Sequence, residues 1–291
     1  MGRTSNSKDN ARRVKRIFQF LQSVDFVPSS DLEARSDADV IMPIYYEAVM
    51  LFAEPFADDK SDNVLRTAIH ANLVQLDQLL QVVPSSGPGK TQSKGGIACS
   101  KGCHFCCSIR VTTTAPVVLA LASYLRKKHS ADDMNSLMTR LEEYSQASSR
   151  LSPVDLLSSS RMCPLNQEGV CMGYEYRPHG CRTHHSFDVS ACEQASKSGL
   201  VDAVSPQDPT RYEVQSIILR AYSDCMKCLA FDNRELEFIP ALLIALSDTD
   251  AEQKYSEGEP VFESAHREDV LILQKQEMHR LGMIQLRQSQ S

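Results

Sequence analysis

Seven of the ten cysteines in this 291-residue chain fall into two short blocks. The first reads Cys99-Ser100-Lys101-Gly102-Cys103-His104-Phe105-Cys106-Cys107. The second reads Cys163-Pro164-Leu165-Asn166-Gln167-Glu168-Gly169-Val170-Cys171 and continues through Tyr174-Glu175-Tyr176-Arg177-Pro178-His179-Gly180-Cys181-Arg182. Two or three residues between cysteines let a tight turn aim two sulfurs at one ion, and a second block completes the coordination shell. On that spacing Cys99, Cys103, Cys106, Cys163, Cys171 and Cys181 are candidate metal ligands. Cys107 joins them. Adjacent residues seldom both face one ion, so its alternatives are a second ion, a free thiol or a small buried apolar role. Six or seven thiolates exceed one tetrahedral site, which leaves open two ions, a bridged pair, or one iron–sulfur cluster such as 4Fe-4S with spare ligands. Gly102, Gly169, Gly173 and Gly180 offer the backbone freedom that tight turns need. Four thiolates around a divalent ion carry a net charge near -2, which Arg177 and Arg182 are placed to offset.

Other groups near the blocks have blander readings beside the chemical ones. Cys192 is either a further ligand or core. Cys225-Met226-Lys227-Cys228 falls at i, i+3 on one helical face, where packing outweighs the redox role of a CxxC pair at a helix start. His104, His179, His184 and His185 are possible nitrogen ligands and, individually, ordinary polar loop residues. Asp188 and Glu193 can serve as base or ligand, although surface acids are commoner. Tyr174 and Tyr176 are expected to pack the irregular segment.

The elements that must position these groups read as helical. Residues 37–57 place Val40, Ile41, Ile44, Tyr45, Ala48, Val49, Leu51 and Phe52 at three-to-four spacing, and 62–83 repeat the pattern. The short connection between them predicts two antiparallel helices. Residues 84–96, rich in Gly, Ser and Pro, form a linker. Thr114 and Pro116 open a helix through Leu125, with another over 131–149. Residues 159–193 are short, irregular and rich in Cys, His, Gly and Pro, with little apolar periodicity. Helices resume over 209–230, 234–247 and 262–287.

Composition narrows the function classes. A balance of 31 basic and 37 acidic side chains, net -6, argues against a nucleic-acid partner. No apolar run approaches ~18 residues, so no membrane partner is expected. The start of the chain has no secretory signal pattern, which points to a cytoplasmic, reducing compartment where cysteines bind metals more often than they form disulfides. Its basic, acid-poor first 16 residues leave an organellar matrix as the alternative.

Both blocks resemble one family. Ala98-Cys99 through Cys107 followed by Arg110-Val111-Thr112-Thr113 is similar to the opening of the YkgJ-type cysteine-cluster family, described as a zinc- or iron-chelating domain. Cys163-Pro164-Leu165, Gly169-x-Cys171, Tyr174 and Arg177-Pro178-x-x-Cys181-Arg182 match its second signature. Ser186-Phe187-Asp188 to Cys192-Glu193 resembles its longer members. The similarity covers about residues 97–247. The family shorthand is CxxCxxCC, and this chain carries one extra residue between its first two cysteines. Cys99-x3-Cys103-x-Phe105-Cys106 also has the spacing of the radical S-adenosylmethionine loop, but helices follow where that fold needs strands.

The expected fold is therefore all-α, mostly helical, with irregular metal-stapled cysteine-rich loops. Its expected divisions are a basic tail and helical pair (1–83), a linker (84–96), a cysteine-cluster domain (97–230) and C-terminal helices (231–291). The function implied is metal binding, with zinc, iron or an iron–sulfur cluster as cofactor. An iron–sulfur-dependent group-transfer enzyme, as the lysine methylase branch of the resemblance implies, is the alternative. A metal-braced module that docks a protein partner is a third.

Overall fold

The computed structural model describes residues 12, 15–17, 19, 38–57, 64–82, 97–198 and 208–280. The 84–96 linker, most of the basic tail and the end of the last expected helix lie outside them. The described chain is mostly helical.

Helix α1 (Ala38–Ala57) buries Tyr45, Ala48, Val49, Phe52, Ala53 and Phe56, and α2 (Val64–Val82) buries Leu65, Ala68, Ile69, Leu73, Leu76 and Leu80. Those positions recur every three or four residues, so each helix has one continuous apolar stripe. The two stripes pack on each other and on α8 (Pro209–Cys228), which supplies Val214, Ile217, Ile218, Ala221, Tyr222 and Met226.

Helix α3 (Ala115–Lys128) is the centre of the molecule. Residues Ala115 through Ala122 are all buried, which places it between α2 on one side and α9 (Phe238–Ser247) on the other. Helix α4 (Ala131–Ser149) packs on α9 through Leu137 and Leu141. It starts at a capping box, in which Ser130 Oγ accepts the Asp133 N–H at 3.2 Å and the Asp133 carboxylate accepts the Ser130 N–H. One hydrophobic cluster runs from Ile17 to Ala265. A small second cluster joins α5 (Pro153–Leu157) to α11 (Glu268–Arg280) through Leu156, Leu157 and Val270.

Three details depart from the sequence expectation, the first being that the helix expected from 262 begins at Glu268, after a 3-10 turn at Glu263–Ala265. Thr114 precedes α3 as expected, but its hydroxyl lies 2.6 Å from the Tyr222 hydroxyl and does not cap the helix. The helix expected from 234 begins at Phe238, because Leu236–Glu237 form strand β4, antiparallel to β1 (Thr112–Thr113) in the register Thr112↔Glu237. A buried ion pair fixes that ribbon: Arg110 Nε donates to both Glu237 carboxylate oxygens at 2.9 Å. The C-terminal part of the chain is thereby tied to the end of the first cysteine block.

Candidate functional site

The first block turns at Gly102 (φ 89°) and enters a single 3-10 turn at Phe105–Ser108. The Cys103 N–H donates to the Ser100 carbonyl at 3.0 Å, and the Cys107 N–H to that of His104 at 2.9 Å. The second block opens as a two-residue hairpin, β2 (Asn166–Gln167) with β3 (Val170–Cys171). Its corner residues Glu168 (φ 52°) and Gly169 (φ 85°) are both left-handed, as a type I′ turn requires. The two glycine corners meet: a Cβ on Gly169 would sit 3.1 Å from the Gly102 carbonyl oxygen. Gly173 serves a different need, since a Cβ there would lie 2.5 Å from Leu121 Cδ1 in the core.

Backbone and side chain both join the blocks. The Cys163 N–H donates to the Cys107 carbonyl at 2.8 Å. Asn166 accepts the Gly169 N–H through Oδ1 at 3.1 Å and donates through Nδ2 to Cys107 Sγ at 3.4 Å. Arg140 of α4 braces the hairpin by donating to the Pro164 carbonyl at 3.0 Å. The last ligand candidate, Cys181, rides on the short helix α6 (His179–Thr183).

Among the seven candidate ligands, four lie within electrostatic reach of one another. Within Cys107, Cys163, Cys171 and Cys181, every pair is near enough for one sulfur's charge to act on the other's acidity. Burial pushes the Cys163 and Cys171 thiols up, and that of Cys181 to about 12, with the neighbouring thiols adding to the burial. Arg177 pulls the other way on Cys171 and Cys181, and Arg182 also on Cys181. Cys106 borders the set: a hydrogen bond between adjacent thiols holds Cys107 down and Cys106 up. Cys103 neighbours Cys106, and Cys99 neighbours Cys103 and Cys192. The sulfurs thus run from the four-thiol set out to Cys99, which is exposed.

All ten cysteines are free thiols. Among the described residues no group of three or more His, Cys, Asp or Glu side chains could hold a metal ion as they stand. Arg177 and Arg182 place two guanidiniums beside Cys171 and Cys181.

The histidines are engaged elsewhere. His179 is buried 2.8 Å from Asn72 Oδ1, and burial, then the Arg182 charge, lowers its pKa to about 3. His185 donates through Nδ1 to the Thr183 carbonyl at 2.6 Å and accepts the Asp208 N–H through Nε2 at 2.7 Å. Burial likewise keeps His184 neutral. His104 Nδ1 lies 3.1 Å from its own Gly102 carbonyl. Cys225 and Cys228 pack in α8, where they feel each other and Asp224.

No family model, curated protein or solved structure matches the chain.

Sequence reasoning did not single out Asn166, Asp77, Asn72 or Arg140. For Asn166 a signal existed, because Asn three residues before Gly suits a side-chain-bonded turn. The other three reach the site from α2 (Asn72 and Asp77) and α4 (Arg140) and leave no local mark.

Proposed function

We propose that this chain is a metal-binding protein of the YkgJ type, holding zinc or iron through its two cysteine blocks. The observation that carries the reading is the joining of the two cysteine blocks at Cys107 by the Cys163 N–H and the Asn166 amide, which brings Cys107, Cys163, Cys171 and Cys181 within electrostatic reach of one another from segments up to 74 positions apart (107 to 181). Half-buried thiols brought together gain little from one another while protonated. As thiolates around a cation they satisfy one another's charge through it. Bound metal would supply folding energy to the irregular 159–193 segment, which has few apolar side chains of its own to hold it.

The residues around the set suit that role. Asn166 presents an N–H to Cys107 Sγ, the contact that thiolate ligands accept from outer-shell amides. Arg177 and Arg182 place positive charge beside Cys171 and Cys181. Cys106, Cys103 and Cys99 lie next in line and are the further thiols of the first block that a second ion or a cluster would draw on.

Anaerobic purification followed by elemental analysis and a visible spectrum tests the reading. Zinc or iron near stoichiometry is the expected result. A brown protein absorbing near about 400 nm, with acid-labile sulfide, identifies the occupant as an iron–sulfur cluster. A chain that is free of metal and takes up none from solution overturns the proposal.

A further inference from the structure

Helix α2 lies outside the stretch that resembles the cysteine-cluster family, yet it reaches the second cysteine block at three points. His70 stacks on Tyr176 with ring centroids 5.0 Å apart, and Tyr176 in turn lies 5.0 Å from Tyr124 of α3. Asn72 Oδ1 accepts from His179 at 2.8 Å. Asp77 pairs with two guanidiniums at once, Arg182 through one carboxylate oxygen and Arg177 through the other at 3.4 Å.

Those two arginines organise the loop that carries Cys171 and Cys181. Arg182, its side chain 2% exposed, donates through Nε to the Arg177 carbonyl at 3.0 Å and through a terminal nitrogen to the Glu175 carbonyl. Arg177 donates to the Tyr174 carbonyl at 2.8 Å and lies over the Tyr174 ring at 4.0 Å. Residues 174–182 are therefore wound around a pair of like charges that repel each other. Each arginine is fastened to its own loop by carbonyls and a ring, and Asp77 is the acid that reaches the pair from another element. Its carboxylate offsets the repulsion and fixes the loop to α2.

We propose that Asp77 is a positioning residue for the metal site, holding Arg177 and Arg182 so that Cys171 and Cys181 face Cys107 and Cys163. The inference rests on the metal-binding reading above and adds that the N-terminal helices are part of the site's scaffold. Loss of an outer-shell partner of this kind typically costs 10–100-fold in metal affinity.

The test uses the full chain, reduced and anaerobic, as wild type, Asp77→Asn and Asp77→Glu. Cobalt(II) is titrated against a competing chelator. In parallel, the metal-free proteins are alkylated and the rates at Cys171, Cys181 and Cys225 compared. Asp77→Asn is expected to bind cobalt about 10–100-fold more weakly, with Asp77→Glu recovering most of the loss. It is also expected to speed alkylation of Cys171 and Cys181 several-fold while Cys225, buried in α8, stays slow. Equal cobalt affinity in wild type and Asp77→Asn overturns the proposal. So does faster alkylation at all three cysteines alike, which marks general loosening. If wild type binds no cobalt, the metal-binding reading fails and alkylation alone decides whether Asp77 orders the loop: faster Cys181 with slow Cys225 upholds it, and unchanged rates overturn it.

Discussion

Single residues in this molecule are held by contacts of two kinds, space and charge, and each yields a measurable expectation. Gly173 sits against Leu121 at a separation no side chain tolerates. Gly173→Ala should destabilise the fold by about 1–3 kcal/mol, read from the urea midpoint, because Leu121 is fully buried and must leave its rotamer. A Leu121→Ala background should remove most of that penalty by opening the space. The histidines make a charge prediction. His179, lowered to about 3, and His184 and His185, lowered by burial, are neutral when folded, whereas the unfolded chain protonates them near 6.5. Below that pH the unfolded state binds more protons, so stability falls with acidification from about 6.5 toward the folded values. The limit is roughly 1.4 kcal/mol per pH unit for each group. Denaturation at pH 7.5 and 5.5 should show the drop, and His179→Gln should flatten the profile by one proton. A profile unchanged by that substitution would contradict a buried neutral His179.

At the level of elements, the joints matter more than the helices. Arg110 and Glu237 fasten β1 to β4 from inside the protein, with side chains 5% and 10% exposed. Glu237→Ala strands the Arg110 charge and should cost about 3–5 kcal/mol, whereas replacing both with well-packed apolar residues should cost far less. Equal losses for the single and double substitutions would show that the pair is not what holds the ribbon. The same joints mark where sequence reading stopped. α1 and α2 were legible because an apolar period is a local pattern, whereas the Ser130–Asp133 capping box of α4 went unread and the cap expected at Thr114 is not made. The grouping of the cysteines into two blocks was legible from spacing, whereas the hairpin at Glu168-Gly169 was read only as part of an irregular segment, because strands of two residues leave no alternation to detect. What the spacing left open was which sulfurs meet: Cys107 joins Cys163, Cys171 and Cys181, while Cys99 and Cys103 trail toward Cys192. That division is made by the Cys163–Cys107 backbone bond and the Asn166 amide, contacts between residues more than fifty positions apart. Asp77 and Arg182 are farther apart still, and neither residue signals the other.

Across the whole molecule, one apolar cluster unites the N-terminal helices with the cysteine-bearing loops and the C-terminal helices. Among the described residues, no helix is long and apolar enough to cross a membrane. The cysteine segment joins that core through Leu165 and Met172, and under the proposed function its order is what loss of metal would disturb first. The central proposal is that Cys107, Cys163, Cys171 and Cys181 hold a metal. Metal content per chain, measured on anaerobically purified wild type, Cys163→Ser and Cys228→Ser side by side, tests it most directly. The expected result is zinc or iron in wild type, retained in Cys228→Ser and lost in Cys163→Ser. Equal metal in all three proteins would contradict it.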